Sequence, residues 1–403
     1  MSMKRSLYLV FLLAAQLVAL EARAEDPTSV VIGKVVRIRS RVLNEERTLF
    51  ISTPAGYEDG VNRYPVLYLL DGETHFHYTS GIVEFMADND RIPEMIVVAI
   101  ASGSVEQRTR DLTTPSSTEI DNRFSPSNGG ADTFLSFVAG ELIPYVESAY
   151  RTRPYRILIG HSFGGLFAIH SLTVKPKLFN AYIAIDPSLS WNNEAVVAEA
   201  EAFFSKTKEL QSDLYFTAAS AYAKGKMSGG VQRLAAILGE KAPAGFRWNF
   251  EWMNQEDHMS IPLPSIHQGL ETIFDGWHLA DPLELFDKGG IEAVHRYFRD
   301  GGARFGYDRT TSPFTVSLIV AGLITTGRLD EASELLLRDR KAYPPPWNQL
   351  DALARAYSDR GNVEQAVHFY ALSLKENPQN EWAKRKLAEM GVKAEDTSKQ
   401  QRP

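Results

Sequence analysis

The segment Ile157-Leu158-Ile159-Gly160-His161-Ser162-Phe163-Gly164-Gly165-Leu166 constrains this chain more than any other. Its first three residues read as a buried strand, and the small and apolar residues from Gly165 to Thr173 read as a helix. Between them, Gly-x-Ser-x-Gly describes a sharp strand-to-helix turn that pushes the serine Oγ outward. Its glycines stand where backbone must approach backbone without a Cβ in the way. The first amides of the following helix face the place where negative charge develops on an attacked carbonyl. Ser162 is therefore the candidate nucleophile.

The surrounding pattern fits that turn. Val35–Arg39 and Thr48–Thr53 alternate like antiparallel strands. Val66–Leu70, Ile96–Ala101, Ile157–Ile159 and Tyr182–Ile185 are short apolar runs closed by polar or glycine residues, as buried strands are. Leu214–Thr217 and Trp248–Met253 supply two more, and helical patterns cover Thr133–Tyr150 and Gly165–Thr173. Strands alternating with helices imply a mostly parallel sheet covered on both faces, so the expected fold class is α/β; together with the nucleophile turn this makes residues 25–280 an expected α/β-hydrolase domain.

The C-terminal third differs, with no convincing strand after residue 280. Gly327 and Gly361, Ala332 and Ala366, and Pro344 and Pro378 are each 34 residues apart; Leu323 with Tyr357 and Leu336 with Tyr370 keep the same offset. A helix-turn-helix repeat of that length, with glycine at the turn, alanine at the close approach and proline after the second helix, resembles the tetratricopeptide pattern. Residues 281–391 are thus expected to be a small all-α repeat domain, with Ile291–Asp300 in a degenerate third unit and a disordered tail over 392–403.

The N-terminus reads as a leader. Lys4 and Arg5 precede the apolar run Leu7–Leu20, which only Gln16 interrupts, and Ala22-Arg23-Ala24 offers small residues at a cleavage site. The run is short of the ~20 residues that span a bilayer, so residues 1–24 are expected to be a signal peptide and the protein periplasmic, with secretion as the alternative. The net charge is −7, and losing a basic leader makes the remainder more acidic, which argues against nucleic acid and anionic lipid as partners. With no cysteine in the 403 residues, disulfides, thiolate nucleophiles and sulfur-ligated metals are excluded.

A serine nucleophile needs a base, and in this fold the order is serine, acid, histidine. Of nine histidines, His75 and His77 come too early, His161 lies inside the turn and His170 in the next helix. His258 follows the last predicted strand in Gln255-Glu256-Asp257-His258 and is the candidate base. The loop after Leu214–Thr217 carries no carboxylate, so Asp186 in Asp186-Pro187-Ser188 is the candidate orienting acid, and a Ser162–His258 dyad stays open. Oxyanion donors are expected from the amides of Phe163 and Glu73, the latter in the turn Leu70-Asp71-Gly72-Glu73. Arg108 and Arg110 are candidates for pairing an anionic substrate, with an internal Arg–Asp pair as the other reading. Tyr222, Lys224, Lys226 and Met227 fall in a loop over Ala218–Gly230 that is expected to shape the pocket. His75 and His77 with Asp71 and Glu73 lack the further ligands of a zinc motif, and no phosphate loop or dinucleotide fingerprint occurs, so neither metal nor cofactor is expected.

Tyr64–Gly72, Arg108–Thr113, Gly160–Gly165, Asp186–Leu189 and Glu256–His258, in that order, resemble the esterase D-like α/β-hydrolases, especially the periplasmic enterobactin-type siderophore esterases. The resemblance covers about residues 30–277. It implies a serine esterase acting on a small-molecule ester, with Ser162 as nucleophile and His258 as base, in a branch whose members can work with a Ser–His dyad. That family often has serine where this chain has Asp186. An acyltransferase like the related mycolyltransferases is the alternative enzyme. An inactive hydrolase domain whose repeats hold a protein partner, or self-associate, is the alternative outside catalysis.

Overall fold

A computed structural model describes residues 29–219, 226–338 and 346–392. The leader, Tyr222 and Lys224, Pro344 and the tail beyond Val392 lie outside the described residues. From Lys34 onward the sheet and the C-terminal helices belong to one contact unit.

Eight strands run β1 (Lys34–Arg39), β2 (Glu46–Ser52), β3 (Tyr64–Leu69), β4 (Ile96–Ile100), β5 (Thr152–His161), β6 (Ala181–Ile185), β7 (Glu209–Ala219) and β8 (Ala244–Met253). They form one sheet in the order β1-β2-β4-β3-β5-β6-β7-β8. β1 and β2 pair antiparallel, β2 meets β4 antiparallel, and the other pairs are parallel. Between and after the strands lie α1 (Gly72–Asp88), α2 (Val105–Leu112), α3 (Glu119–Phe124), α4 (Ala131–Phe137), α5 (Ile143–Ala149), α6 (Phe163–Val174), α7 (Trp191–Phe204), α8 (Lys226–Lys241) and α9 (Pro262–Ile273). The α/β-hydrolase architecture expected from the sequence is the one observed.

Period-two alternation sorts the strand side chains between two cores. Val66, Tyr68, Leu158, Tyr182 and Ala184 enter the core shared with α4, α6 and α7. Leu67, Leu69, Ile157, Ile159, Ile183 and Ile185 enter the core shared with α1 and α9. α6 is apolar nearly all round because both it and the strands beside it are covered, and Gly164 through Thr173 are all buried. The single helix expected over Thr133–Tyr150 is interrupted: Val138–Leu142 forms a π-helical turn between α4 and α5. Pro144, one residue into α5, has no amide to give to the preceding turn, which a widened turn accommodates. The loop expected through Gly230 also ends earlier, because α8 begins at Lys226.

After α9 the chain is helical: α10 (Pro282–Arg304), α11 (Pro313–Thr325), α12 (Leu329–Arg338), α13 (Trp347–Asp359), α14 (Val363–Glu376) and α15 (Glu381–Glu389). Gly327 and Gly361 take φ of 78° and 76° at the two inter-helix turns, a conformation that suits glycine. Ala332 and Ala366 are fully buried in the third core. This helical part is fastened at the N-terminal edge of the parallel strands. Nη1 of Arg153, near the start of β5, donates to Gly306 O at 2.7 Å, and Arg304 pairs with Asp213 in the first half of β7. The candidate site lies at the opposite edge.

Candidate active site

The C-terminal ends of β5, β6 and β8 bring Ser162, Asp186 and His258 to one place, and the chain after β3 runs beside them. β5 runs into α6 through Ser162, whose φ of 61° and ψ of −116° put it in strained backbone. The turn survives because glycine flanks it: a Cβ on Gly160 would stand 2.2 Å from Gly164 O, and one on Gly165 would stand 2.9 Å from Pro187 Cα. The Ser162 amide donates to Ile185 O at 2.9 Å, tying the elbow to the end of β6. Its Oγ lies 3.1 Å from the hydroxyl of Ser188.

Asp186 leaves β6 at φ 38°, its amide donating to Thr217 O at 3.1 Å. This bend turns its carboxylate toward the end of the sheet, where Oδ1 accepts from the amide of Ala219 at 3.3 Å. Oδ2 meets Nδ1 of His258 at 2.7 Å. The His258 loop is held by its own acids: Asp257 Oδ1 accepts from the amides of Met259 and Ser260 at 2.8 and 2.9 Å, and Glu256 takes the Ser260 hydroxyl. The contact with Asp186 fixes the orientation of the His258 ring at Nδ1.

His161, the residue before the serine, is the unpredicted member of this group. Its ring centroid lies 4.5 Å from that of His258 and 5.7 Å from that of His75. Burial, together with the His258 and His75 rings, holds its pKa down at about 3, so it is neutral and adds no charge beside His258. Spacing gives no signal for such a role, because the position between glycine and serine in this motif accepts any residue.

Leu70 donates its amide to Ile159 O at 2.9 Å, so the chain after β3 runs beside the elbow. Asp71, in a left-handed conformation, starts α1, which makes Glu73 the second residue of a helix, as Phe163 is the first of α6. Neither amide donates to another described residue, and both belong to the first turn of a helix, where amides have no intrahelical partner. The Glu73 carboxylate is occupied elsewhere, accepting from the amides of Ser102 and Gly103 at 2.9 and 3.0 Å. A Cβ at Gly72 would stand 3.0 Å from the Ala99 carbonyl carbon, so α1 starts this close to β4 only with glycine there.

The two arginines part company. Arg108 forms a two-pronged pair with Asp71, Nε to Oδ1 at 2.6 Å and Nη2 to Oδ2 at 2.8 Å, and its Nη2 reaches His161 O at 3.3 Å. Burial would raise the Asp71 carboxyl, but Arg108 and the Ser102 hydroxyl outweigh it and hold it below its usual value. Arg108 therefore sits against the elbow with its charge already matched. Arg110 does not join it: its guanidinium binds Glu45 at 2.5 Å and Asp111 at 2.8 Å, in a network with buried Arg47. Positions two apart on a helix face different ways, which separates a pair that looks contiguous in sequence. Among the described residues no three His, Asp or Glu side chains converge as metal ligands would.

Residues 40–255 match the Esterase family model. The chain is 30% identical over 272 residues to the ferri-bacillibactin esterase BesA of Bacillus subtilis, covering 62% of this chain and 92% of that protein. It is 28% identical over 266 residues to a siderophore triacetylfusarinine C esterase of Aspergillus fumigatus, covering 56% and 88%. An IroE-like serine hydrolase structure from Shewanella oneidensis superposes with a TM-score of 0.61 at 26% identity, over 75% of this chain and 97% of that one. Fold, elbow and relatives agree: this chain is a carboxylic ester hydrolase and belongs to the Esterase family.

Proposed function

We propose that the protein is an exported serine esterase that cleaves siderophore-type esters, with Ser162 as nucleophile, His258 as base and Asp186 as the acid that orients it. The observation that carries this reading is the 2.7 Å contact between His258 Nδ1 and Asp186 Oδ2, beside a serine held in a strand-to-helix elbow. His258 Nε2 takes the Ser162 proton as Oγ adds to the ester carbonyl, and the amides of Phe163 and Glu73 receive the oxyanion. Collapse expels the alkoxide, which takes that proton, and leaves an acyl-enzyme. Water, deprotonated by His258, adds to the acyl carbon, and the carboxylic acid leaves as Ser162 regains its proton. The substrate class rests on the siderophore esterases among the relatives, and export on the Lys4-to-Ala24 pattern. Helices α11 to α14 are read as two tetratricopeptide-like units; fastened at the far edge of the sheet, they leave the mouth of the site to substrate and offer a surface for a protein partner.

The test compares hydrolysis of p-nitrophenyl esters and of a ferric triester siderophore by the protein and by Ser162→Ala and His258→Ala, with fluorophosphonate labelling in parallel. Expected are losses of about 10³-fold or more in folded variants and a single adduct on Ser162. A wild-type protein that neither hydrolyses any ester nor takes the label sinks the reading; ester hydrolysis without siderophore cleavage removes only the substrate class.

A further inference from the structure

Beyond the catalytic groups, the loop after Asp186 contains an unusual piece of backbone. At the start of α7, Asn192, Asn193 and Glu194 take φ of 47°, 52° and 66° in succession. Three consecutive non-glycine residues in the left-handed region persist only where neighbours hold them there. One short segment does most of the holding. Trp191 Nε1 donates to Thr114 O at 2.8 Å. Asn192 Nδ2 donates to Pro115 O at 3.1 Å, and its Oδ1 accepts from the amide and the hydroxyl of Ser117, both at 3.0 Å. The Asn192 amide itself donates to Asp121 Oδ2 at 2.8 Å. Asparagine is the residue type that tolerates this backbone and also offers both a donor and an acceptor.

The segment so fastened continues into α3, and α3 leads back to the nucleophile. The Phe124 ring lies 6.4 Å from the Phe163 ring, and the Trp191 ring lies 5.2 Å from it on an edge-to-face contact. Phe163 directly follows Ser162 in sequence. Trp191 is buried, whereas Phe124 is 76% exposed, a large ring with no core to enter beside the elbow.

We propose that Asn192 is a positioning residue: it holds residues 114–124 against the left-handed turn as one wall of the acyl site, with Phe124 as the face of that wall toward a bulky apolar acyl group. The inference rests on the serine esterase reading for where the acyl group sits.

The experiment uses the full chain carrying Ser162→Ala and measures calorimetric binding of two uncleaved amides, one with a 2-naphthoyl and one with an acetyl group on the same alcohol-side moiety. The naphthoyl amide is expected to bind more tightly. Asn192→Gly permits the same backbone but removes the side-chain bonds, and it is expected to weaken the naphthoyl amide about tenfold and the acetyl amide less than about twofold. Phe124→Ala, a truncation of an exposed ring that leaves the turn untouched, is expected to do the same. With Ser162 intact, the Asn192→Gly change is expected in KM for the naphthoyl ester, with kcat within about twofold. No naphthoyl preference, equal weakening of both amides, unchanged naphthoyl binding, or a loss confined to kcat would each overturn the proposal. Failure of the esterase reading shows instead as absent hydrolysis and absent Ser162 labelling, which the binding measurement does not depend on.

Discussion

Nδ1 of His258 lies 2.7 Å from Oδ2 of Asp186, a residue 72 positions earlier and at the end of a strand two removed from the histidine's own in the sheet. The carboxylate that meets His258 therefore comes from the β6 loop, and the β7 end contributes the Ala219 amide that braces it. An Asp-to-Asn change in such a relay keeps the shape but favours the wrong histidine tautomer. Asp186→Asn is expected to lower kcat by about 10⁴-fold with little change in KM or in the unfolding midpoint. A loss under about tenfold would mean that Ser162 and His258 work as a dyad.

The elbow depends on the absence of one carbon. A Cβ on Gly160 would lie 2.2 Å from Gly164 O, and both atoms belong to the backbone or sit directly on it, so neither can swing aside. Gly160→Ala is expected to cost about 3 kcal/mol of stability, at the upper end for overpacking, and to remove activity with it. Gly81, in the middle of α1, has nothing within 4 Å of the place a methyl group would take. There the same substitution is expected to stabilise by about 0.5–1 kcal/mol through helix propensity. Denaturant titration of both variants checks the contrast, and equal effects would remove the steric explanation.

His170, on the nucleophile helix, reports on pH. Its Nε2 lies 2.9 Å from Asp132 and its Nδ1 3.1 Å from Glu199, which clips α6 to α4 and α7. Burial opposes the charged ring, but the two carboxylates outweigh burial and raise its pKa. A group with a raised folded pKa gives its full stabilisation below its unfolded value, about 6.5 for histidine, and loses it as pH rises through the folded value. The unfolding midpoint is therefore expected to fall as pH rises above about 6.5, and His170→Gln should flatten that slope. A slope of equal size in the variant would assign it to another group.

The strands and the elbow are legible in the sequence because their signals are local: apolar runs such as Val66–Leu70 and the spacing around Ser162 need no tertiary information. Elimination along the chain singles out His258 as a candidate, but its contact with Asp186 comes only with the fold. The Arg110–Asp111 contact is an internal pair of the kind the sequence offered, but the other acids, Asp71 for Arg108 and Glu45 for Arg110, are not legible because they arrive from beside other strands. Ser188 facing Ser162 is likewise a product of β5 and β6 lying side by side, and the tilted ring contact of His161 with His258 joins the end of β5 to the loop after β8, relations that no sequence interval encodes. The left-handed turn at Asn192–Glu194 has only its asparagines as a local signal, since the bonds that hold it run to residues 114–121, more than seventy positions away.

Arg309 fastens the C-terminal helices to the hydrolase part, so it tests whether they matter to the chemistry. Its guanidinium lies 3.7 Å from the Trp277 ring centroid and 4.8 Å from that of Phe298 on α10. Nη1 donates to Trp277 O at 2.6 Å, and Nη2 pairs with Asp90, just past α1, at 2.9 Å. A largely desolvated cation between two rings is worth about 2 kcal/mol, and Asp90 is exposed enough to be rehydrated when the arginine goes. Arg309→Ala is therefore expected to lower stability by about 2 kcal/mol, and Arg309→Lys to recover less than half, since an ammonium lacks the planar face that stacks on the indole. Because this contact lies at the edge of the sheet opposite Ser162, kcat/KM for a small ester is expected to stay within about twofold. A folded Arg309→Ala protein with kcat/KM lowered tenfold would instead mean that the helical region acts on the site across the sheet.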